Sequence, residues 1–244
     1  MSGAITFHNL TLGYNEHPAV HHLSATLAAG SMTALVGPNG GGKSTLLKAI
    51  VGEIKPRTGT IDAPPRRTIA YLPQLAEIDR SFPVSVLEVV AMGLWAKAGA
   101  FRRLTGADRA AARDSLAAVG LDGFERRSIG ALSGGQMQRV LFARLLLQDA
   151  RVILLDEPFA AVDERTIGDL LAIVGKWHGE GRTIVTVVHD IELVRGAFPD
   201  TLLLARELVA HGATSKVLTR ENLSRARAVG EAFDDHAPLC RRAA

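Results

Sequence analysis

A chain of 244 residues with 47% apolar and 22% charged residues has the make-up of a soluble globular protein, long enough for one large domain or for a core with a smaller lobe. The formal charge is only +3, and the excess base sits mostly in local pairs (Arg66-Arg67, Arg102-Arg103, Arg126-Arg127, Arg241-Arg242) that read first as solvated surface, with nucleic acid or an anionic membrane face as the minor alternative. The single cysteine, Cys240, excludes an intrachain disulfide framework; the start, MSGAITFHNLTLGY, lacks a signal-peptide pattern; and the longest apolar stretch, 86–101, is broken by Glu88 and Lys97 short of the about 20 residues a membrane span needs, so any membrane role is expected to be peripheral.

In chain order, residues 3–29 alternate apolar and polar residues around turns, which predicts antiparallel strands with one solvated face. MTALVG at 32–37 predicts a short buried strand, and STLLKAIVG after it places Leu46, Leu47, Ile50 and Val51 at helical spacing, so the two make a strand–loop–helix unit. TIAYLPQ at 68–74 predicts another strand, stopped by proline. From about 83 to 148 helical patterns dominate (VSVLEVVAMGLW, GADRAAARDSLAAVG, GGQMQRVLFARLLLQD) and predict a helical lobe. RVILLDEP and RTIVTVVHD are near-continuous apolar runs suited to a parallel sheet covered on both faces, and DTLLLARELVAHG predicts a terminal hairpin. The tail over 226–244 is charged and alanine-rich, with an end expected to fray; there is no internal repeat and no low-complexity segment.

The segment between the first buried strand and its helix carries the strongest chemistry. Gly37, Pro38, Asn39, Gly40, Gly41, Gly42, Lys43 and Ser44 fit G-x-x-x-x-G-K-[ST], followed by Thr45. Glycines let backbone N–H groups turn inward around phosphates, the helix points its positive end at them, Lys43 reaches the β- and γ-phosphates, and the Ser44 hydroxyl suits Mg²⁺. RVILLDEP ends in Asp156, placed to hold the Mg²⁺ shell, and Glu157, expected on a different side of the strand as a base or orienter for an attacking water. His189 follows an apolar strand and suits a donor to the γ-phosphate. His21-His22, and His236 with Cys240, lack further ligands at matching spacing, so no metal site of their own is expected. LSGGQMQR at 132–139 is a second anion-friendly loop opening a helix, although by itself it reads better as a glycine-rich helix cap.

Taken together, these spaced motifs resemble the nucleotide-binding subunits of ABC transporters over about residues 3–220. GPNGGGKST is similar to the Walker A loop, Gln74 in YLPQ to the Q-loop glutamine, LSGGQ to the family signature, ILLDEP to Walker B, and His189 in VVHD to the switch histidine. Asp163 in AAVD resembles the D-loop aspartate, though serine-alanine-leucine is commoner before it, and Tyr14 stands where the family places an aromatic against adenine. The resemblance implies an α/β P-loop cassette with a mixed or parallel sheet core, an N-terminal antiparallel β subdomain and the helical lobe at about 83–148, the whole spanning 1–225.

It further implies an ATPase working with ATP and Mg²⁺. Two copies pair head to tail, so that Ser133, Gly134, Gly135 and Gln136 of one close on the ATP of the other. On this resemblance Lys43 neutralises phosphate charge, Ser44, Gln74 and Asp156 serve the metal shell, Glu157 polarises water and His189 holds the γ-phosphate. Implied partners are permease subunits in the inner membrane, at whose cytoplasmic face the cassette sits, and indirectly a solute-binding protein; nucleic acid is not among them. The pattern PQ…ID…FPVSV…VV…MG over 69–94 resembles cassettes of zinc and manganese importers, zinc foremost, with iron-chelate or haem importers as the alternative. No regulatory domain is expected after the cassette. A DNA-maintenance ATPase of the superfamily would need a long heptad insertion between the two phosphate loops, a translation factor would need a second Walker A loop, and a module without catalysis would not be expected to keep Lys43, Asp156, Glu157 and His189.

Overall fold

Over Ile5–Tyr14 (β1) the buried apolar residues change phase: Ile5 and Phe7 lie on odd positions, Leu10 and Leu12 on even ones. A strict strand cannot bury both sets on one face. The chain solves this at Asn9, which takes a left-handed φ of 46° where the pairing with the next strand shifts register between Phe7 and Leu10. His22 across the ladder is also left-handed, at φ 47°, and its Nδ1 lies 2.9 Å from Asn9 Oδ1. An extra residue in one strand re-aims the side chains after it, which is the action of a β-bulge.

The computed structural model describes residues 3–14, 17–95, 99, 103–160 and 162–231. Arg102, His236, Cys240, Arg241, Arg242 and the end of the tail lie outside the described residues. After β1 the strands are β2 (His17–Leu27), β3 (Met32–Val36), β4 (Thr58–Asp62), β5 (Ile69–Leu72), β6 (Val152–Asp156), β7 (Thr183–Val187), β8 (Asp200–Ala205) and β9 (Glu207–Ala213). The helices are α1 (Lys43–Ile50), α2 (Val86–Ala91), α3 (Gly106–Ala118), α4 (Gly134–Gln148), α5 (Glu164–Gly179), α6 (Ile191–Ala197), α7 (Thr214–Val217) and α8 (Arg220–Glu231). The chain divides into two units, one of the described residues up to Arg66 and from Val185 onward, the other of Arg67–Ile184.

The first unit holds an antiparallel sheet of order β2-β1-β4. It also holds the predicted buried strand β3, paired in parallel with β8 from Thr33↔Asp200 to Val36↔Leu203. β8 turns at Arg206, left-handed at φ 61°, into β9, the predicted hairpin. β3 is buried along its whole length, as a strand covered on both faces must be. The last helix, α8, runs through position 225 into the segment read from sequence as tail.

In the second unit, β5 and β6 pair in parallel from Ile69↔Val152 to Leu72↔Leu155, and both are fully buried. Helices α2, α3 and α4 occupy the predicted helical stretch. Each starts on a capping box: Ser85 with Glu88, Thr105 with Asp108, and Ser133 with Gln136. Phe142 on α4 stacks against Trp177 on α5, ring centres 5.7 Å apart and planes 11° from parallel, with both side chains buried. Stacked aromatics of this size dominate the burial energy of a core. No helix of the described residues is long and apolar enough to cross a membrane.

Candidate nucleotide site

The phosphate loop lies in the first unit and is pinned by backbone on two sides. A Cβ on Gly37 would fall inside the carbonyl of Leu204 on β8, and one on Gly42 inside the carbonyl of Ala19 on β2. Gly42 caps α1 at φ 90°, a conformation side-chain residues rarely adopt. The Arg206 N–H donates to Gly41 O at 3.0 Å, tying the loop to the β8–β9 turn. Asn39 and Gly40 stand exposed at the tip, while Gly41, Gly42, Lys43 and Thr45 are buried and Ser44 is half-buried. Lys43 is 5% exposed, and its Nζ donates to Gly37 O at 2.9 Å and Pro38 O at 2.8 Å. The ammonium is thus folded over the mouth of its own loop.

Gly42→Ala is expected to destabilise the chain, by about 1–3 kcal/mol for the left-handed backbone alone and more for the clash. Thermal melting checks this; a curve superimposed on the parent's would contradict the pinning. Elsewhere in this unit His189 is exposed just after β7. The next residue, Asp190, caps α6 by accepting from the Glu192 and Leu193 N–H groups. Tyr14, at the end of β1, is 54% exposed, an aromatic face left open.

The acidic group lies in the second unit. Asp156 ends β6 and is 1% exposed, with the Tyr71 hydroxyl 3.5 Å from its Oδ2. Glu157 leaves the strand at φ 51°. The sequence expectation of a different direction from Asp156 rests on strand alternation, whereas here a left-handed turn sets it. Such backbone outliers at non-glycine residues cluster at functional sites.

Because Leu72 pairs with Leu155, the residues two further along each strand meet: Gln74 Nε2 donates to Glu157 Oε1 at 2.9 Å. Both line a cavity of about 490 Å³ with Leu75, Ala76, Ile78, Arg80 and Ala160.

The signature loop is also in this unit. Ser133 Oγ accepts from the Gln136 N–H at 3.2 Å, and Gln136 Oε1 accepts from the Ser133 N–H at 3.0 Å. The cap reading of LSGGQ is therefore realised, and Ser133 is exposed with Gly134 and Gly135 half-exposed beside it. Asp163 caps α5, accepting from the Thr166 N–H at 2.9 Å and the Thr166 hydroxyl at 2.8 Å. These bonds hold its carboxyl below the usual range. A Cβ on Gly135 would lie 3.8 Å from Asp163 Oδ2, so the start of α4 and the Asp163 turn are neighbours.

Arg139, which drew no notice in the sequence beyond its place in LSGGQMQR, ties them together. Its guanidinium donates to Asp169 at 2.7 Å, Thr166 Oγ1 at 3.3 Å and Val119 O at 3.0 Å.

Strand, pinned glycine loop and helix, with a separate buried strand ending in adjacent carboxylates, define a P-loop NTPase fold. The family model for ABC transporters matches residues 20–160. The manganese transport system ATP-binding protein MntB of Listeria monocytogenes is 40% identical over 220 residues, covering 88% of this chain and 92% of its own. The zinc transport system ATP-binding protein TroB of Treponema pallidum is 38% identical over 229 residues, covering 91% of this chain and 86% of its own. Among solved structures, a chain of an inward-facing ABC transporter assigned to the metal-chelate type superposes with a TM-score of 0.83 at 31% identity, covering 93% of this chain and 90% of that one. The chain belongs to the ABC transporter family.

Proposed function

We propose that this chain hydrolyses ATP to drive import of a divalent metal ion through a membrane permease. The observation that carries the ATPase reading is the glycine loop pinned between β8 and β2, with the Lys43 ammonium held over its mouth. On binding ATP, Lys43 exchanges loop carbonyls for phosphate oxygens, and the N-terminal amides of α1 face the same charge. Ser44, Gln74 and Asp156 offer only oxygen donors, the set Mg²⁺ prefers, and these residues would hold it. The ion would neutralise charge on the phosphates. Glu157 accepts the proton of the attacking water while Gln74 holds its other oxygen, and His189 donates to the γ-phosphate.

The remaining parts follow the same reading. Residues 1–225 act as the cassette, with 83–148 as its helical lobe and 226–244 as a tail. The cassette works as a homodimer, in which Ser133, Gly134, Gly135, Gln136 and Asp163 of one copy complete the site of the other. It sits at the cytoplasmic face of the inner membrane against permease subunits, which a solute-binding protein supplies from outside. Tyr14 stacks on the adenine. Base–aromatic stacking is worth about 1–3 kcal/mol, so Tyr14→Ala is expected to weaken ATP binding about tenfold in calorimetric titration. An unchanged affinity would remove the stacking role.

Zinc is the first cargo reading, from the segment 69–94; manganese is the second, favoured by relatives named for it. Reconstitution with permease and binding protein, scanning zinc, manganese and ferrous iron, tests both. Uptake of none of the three would remove the metal assignment while leaving the ATPase assignment standing. DNA-stimulated hydrolysis would favour the DNA-maintenance reading instead.

A further inference from the structure

Two strips of the second unit run side by side, each with no more than a single 3-10 turn, Leu75–Glu77 in one and Ile129–Ala131 in the other. One leaves Gln74 and leads into α2; the other leads into Ser133. They are stitched at several points: Ile129 N–H donates to Val84 O at 3.2 Å, Val86 N–H to Arg127 O at 2.9 Å, and Ser85 bridges Ser128. A Cβ on Gly130 would stand 3.0 Å from Arg80 O, so the backbones touch where glycine leaves room.

Across this seam reaches Arg80. Its guanidinium donates to Leu132 O, with Ile129 O at 3.5 Å from the same nitrogen. Its Nε is buried with no acceptor among the described residues. A half-buried cation in that position is a committed contact, unlike a surface arginine free to wander.

Leu132 O and the Ser133 N–H belong to one peptide plane. Arg80 holds its oxygen end and Gln136 Oε1 holds its hydrogen end at 3.0 Å. A peptide plane fixed at both edges has no freedom to rotate, so the direction in which Ser133 and the amides after it face is set jointly by the capping side chain of α4 and, from outside the helix, by Arg80. Arg80 also lines the cavity that contains Gln74 and Glu157.

We infer that Arg80 is a positioning residue that couples the Gln74–Glu157 cavity to the signature loop, setting Ser133 for the nucleotide of the partner copy. This rests on the reading that Ser133 closes on that nucleotide.

The test uses Arg80→Ala and Arg80→Lys in the complete transporter, with kcat and KM for ATP measured separately and ATP affinity measured on the single cassette. For Arg80→Ala, kcat falls about tenfold, the scale of one charge-assisted hydrogen bond, while affinity stays within about twofold. Arg80→Lys, which keeps a cationic donor and guards against a folding artefact, recovers part of kcat. In a Glu157→Gln background, Arg80→Ala also raises the concentration needed for ATP-driven dimerisation.

An unchanged kcat in Arg80→Ala overturns the inference, as does a kcat loss matched by an equal loss of single-cassette affinity, or a lysine variant no better than alanine. A Glu157→Gln parent that dimerises alongside an equally dimerising double variant overturns the inference alone. A parent that stays monomeric with ATP overturns the underlying reading and the inference with it.

Discussion

Glu157→Gln is expected to stop turnover while sparing ATP binding. The substitution keeps size and shape, and the new amide oxygen still accepts from Gln74 Nε2, so the pairing at the ends of β5 and β6 persists. Only the ability to take a proton is lost. A positioned base contributes about 10²–10⁴-fold, so ATPase activity should fall by at least about a hundredfold. On the proposed reading the bound γ-phosphate should then stay in place and hold two copies closed, as in other switches that open on phosphate loss. Steady-state hydrolysis and equilibrium ATP binding, measured side by side, check the split. Ordinary hydrolysis by the variant would remove Glu157 as the base.

Lys43→Ala is expected to act on the opposite step. Lys43 is buried and its Nζ donates to two loop carbonyls, so the charge is held at the mouth of the loop where phosphates would sit. Hydrogen bonds to charged groups are worth about 1.5–3 kcal/mol each, so losing this ammonium should weaken ATP binding about a hundredfold. Gly37 O and Pro38 O are left without that donor as well, which loosens the loop. A ligand that binds only the folded state raises the melting temperature, so MgATP should stabilise the parent and leave the variant nearly unmoved. A parent-like thermal shift in Lys43→Ala would contradict the placement of the phosphates.

Much of this was legible in the letters because local chemistry dictated it. The β3–loop–α1 unit announced itself by an apolar run, glycines and a helical spacing, and the start of α4 by the LSGGQ cap, whereas the capping boxes at Ser85 and Thr105 emerged with the structure. The β8–β9 hairpin and the parallel character of β6 followed from continuous apolar runs, and β5 from a short apolar run stopped by proline.

What was not legible depended on contacts between distant segments. β4, TGTID, is exposed at four of five positions and has no hydropathy signal; it exists because β1 offers it an edge. The phase change at Asn9 needs His22 opposite. The Gln74–Glu157 bond follows from strand register, which spacing does not reveal. Arg80 and Arg139 look like ordinary surface base in the sequence, and only the fold brings their guanidinium groups onto the carbonyls before Ser133 and the cap of α5.

On the proposed reading each copy lends the start of its α4 to the ATP seated in the other. The direct measurement is an experimental structure of the Glu157→Gln chain with MgATP. A symmetric pair is expected, with Ser133 of one copy within hydrogen-bonding reach of the γ-phosphate held by Lys43 of its partner. A monomer with ATP bound, or a pair with Ser133 far from both triphosphates, would contradict it.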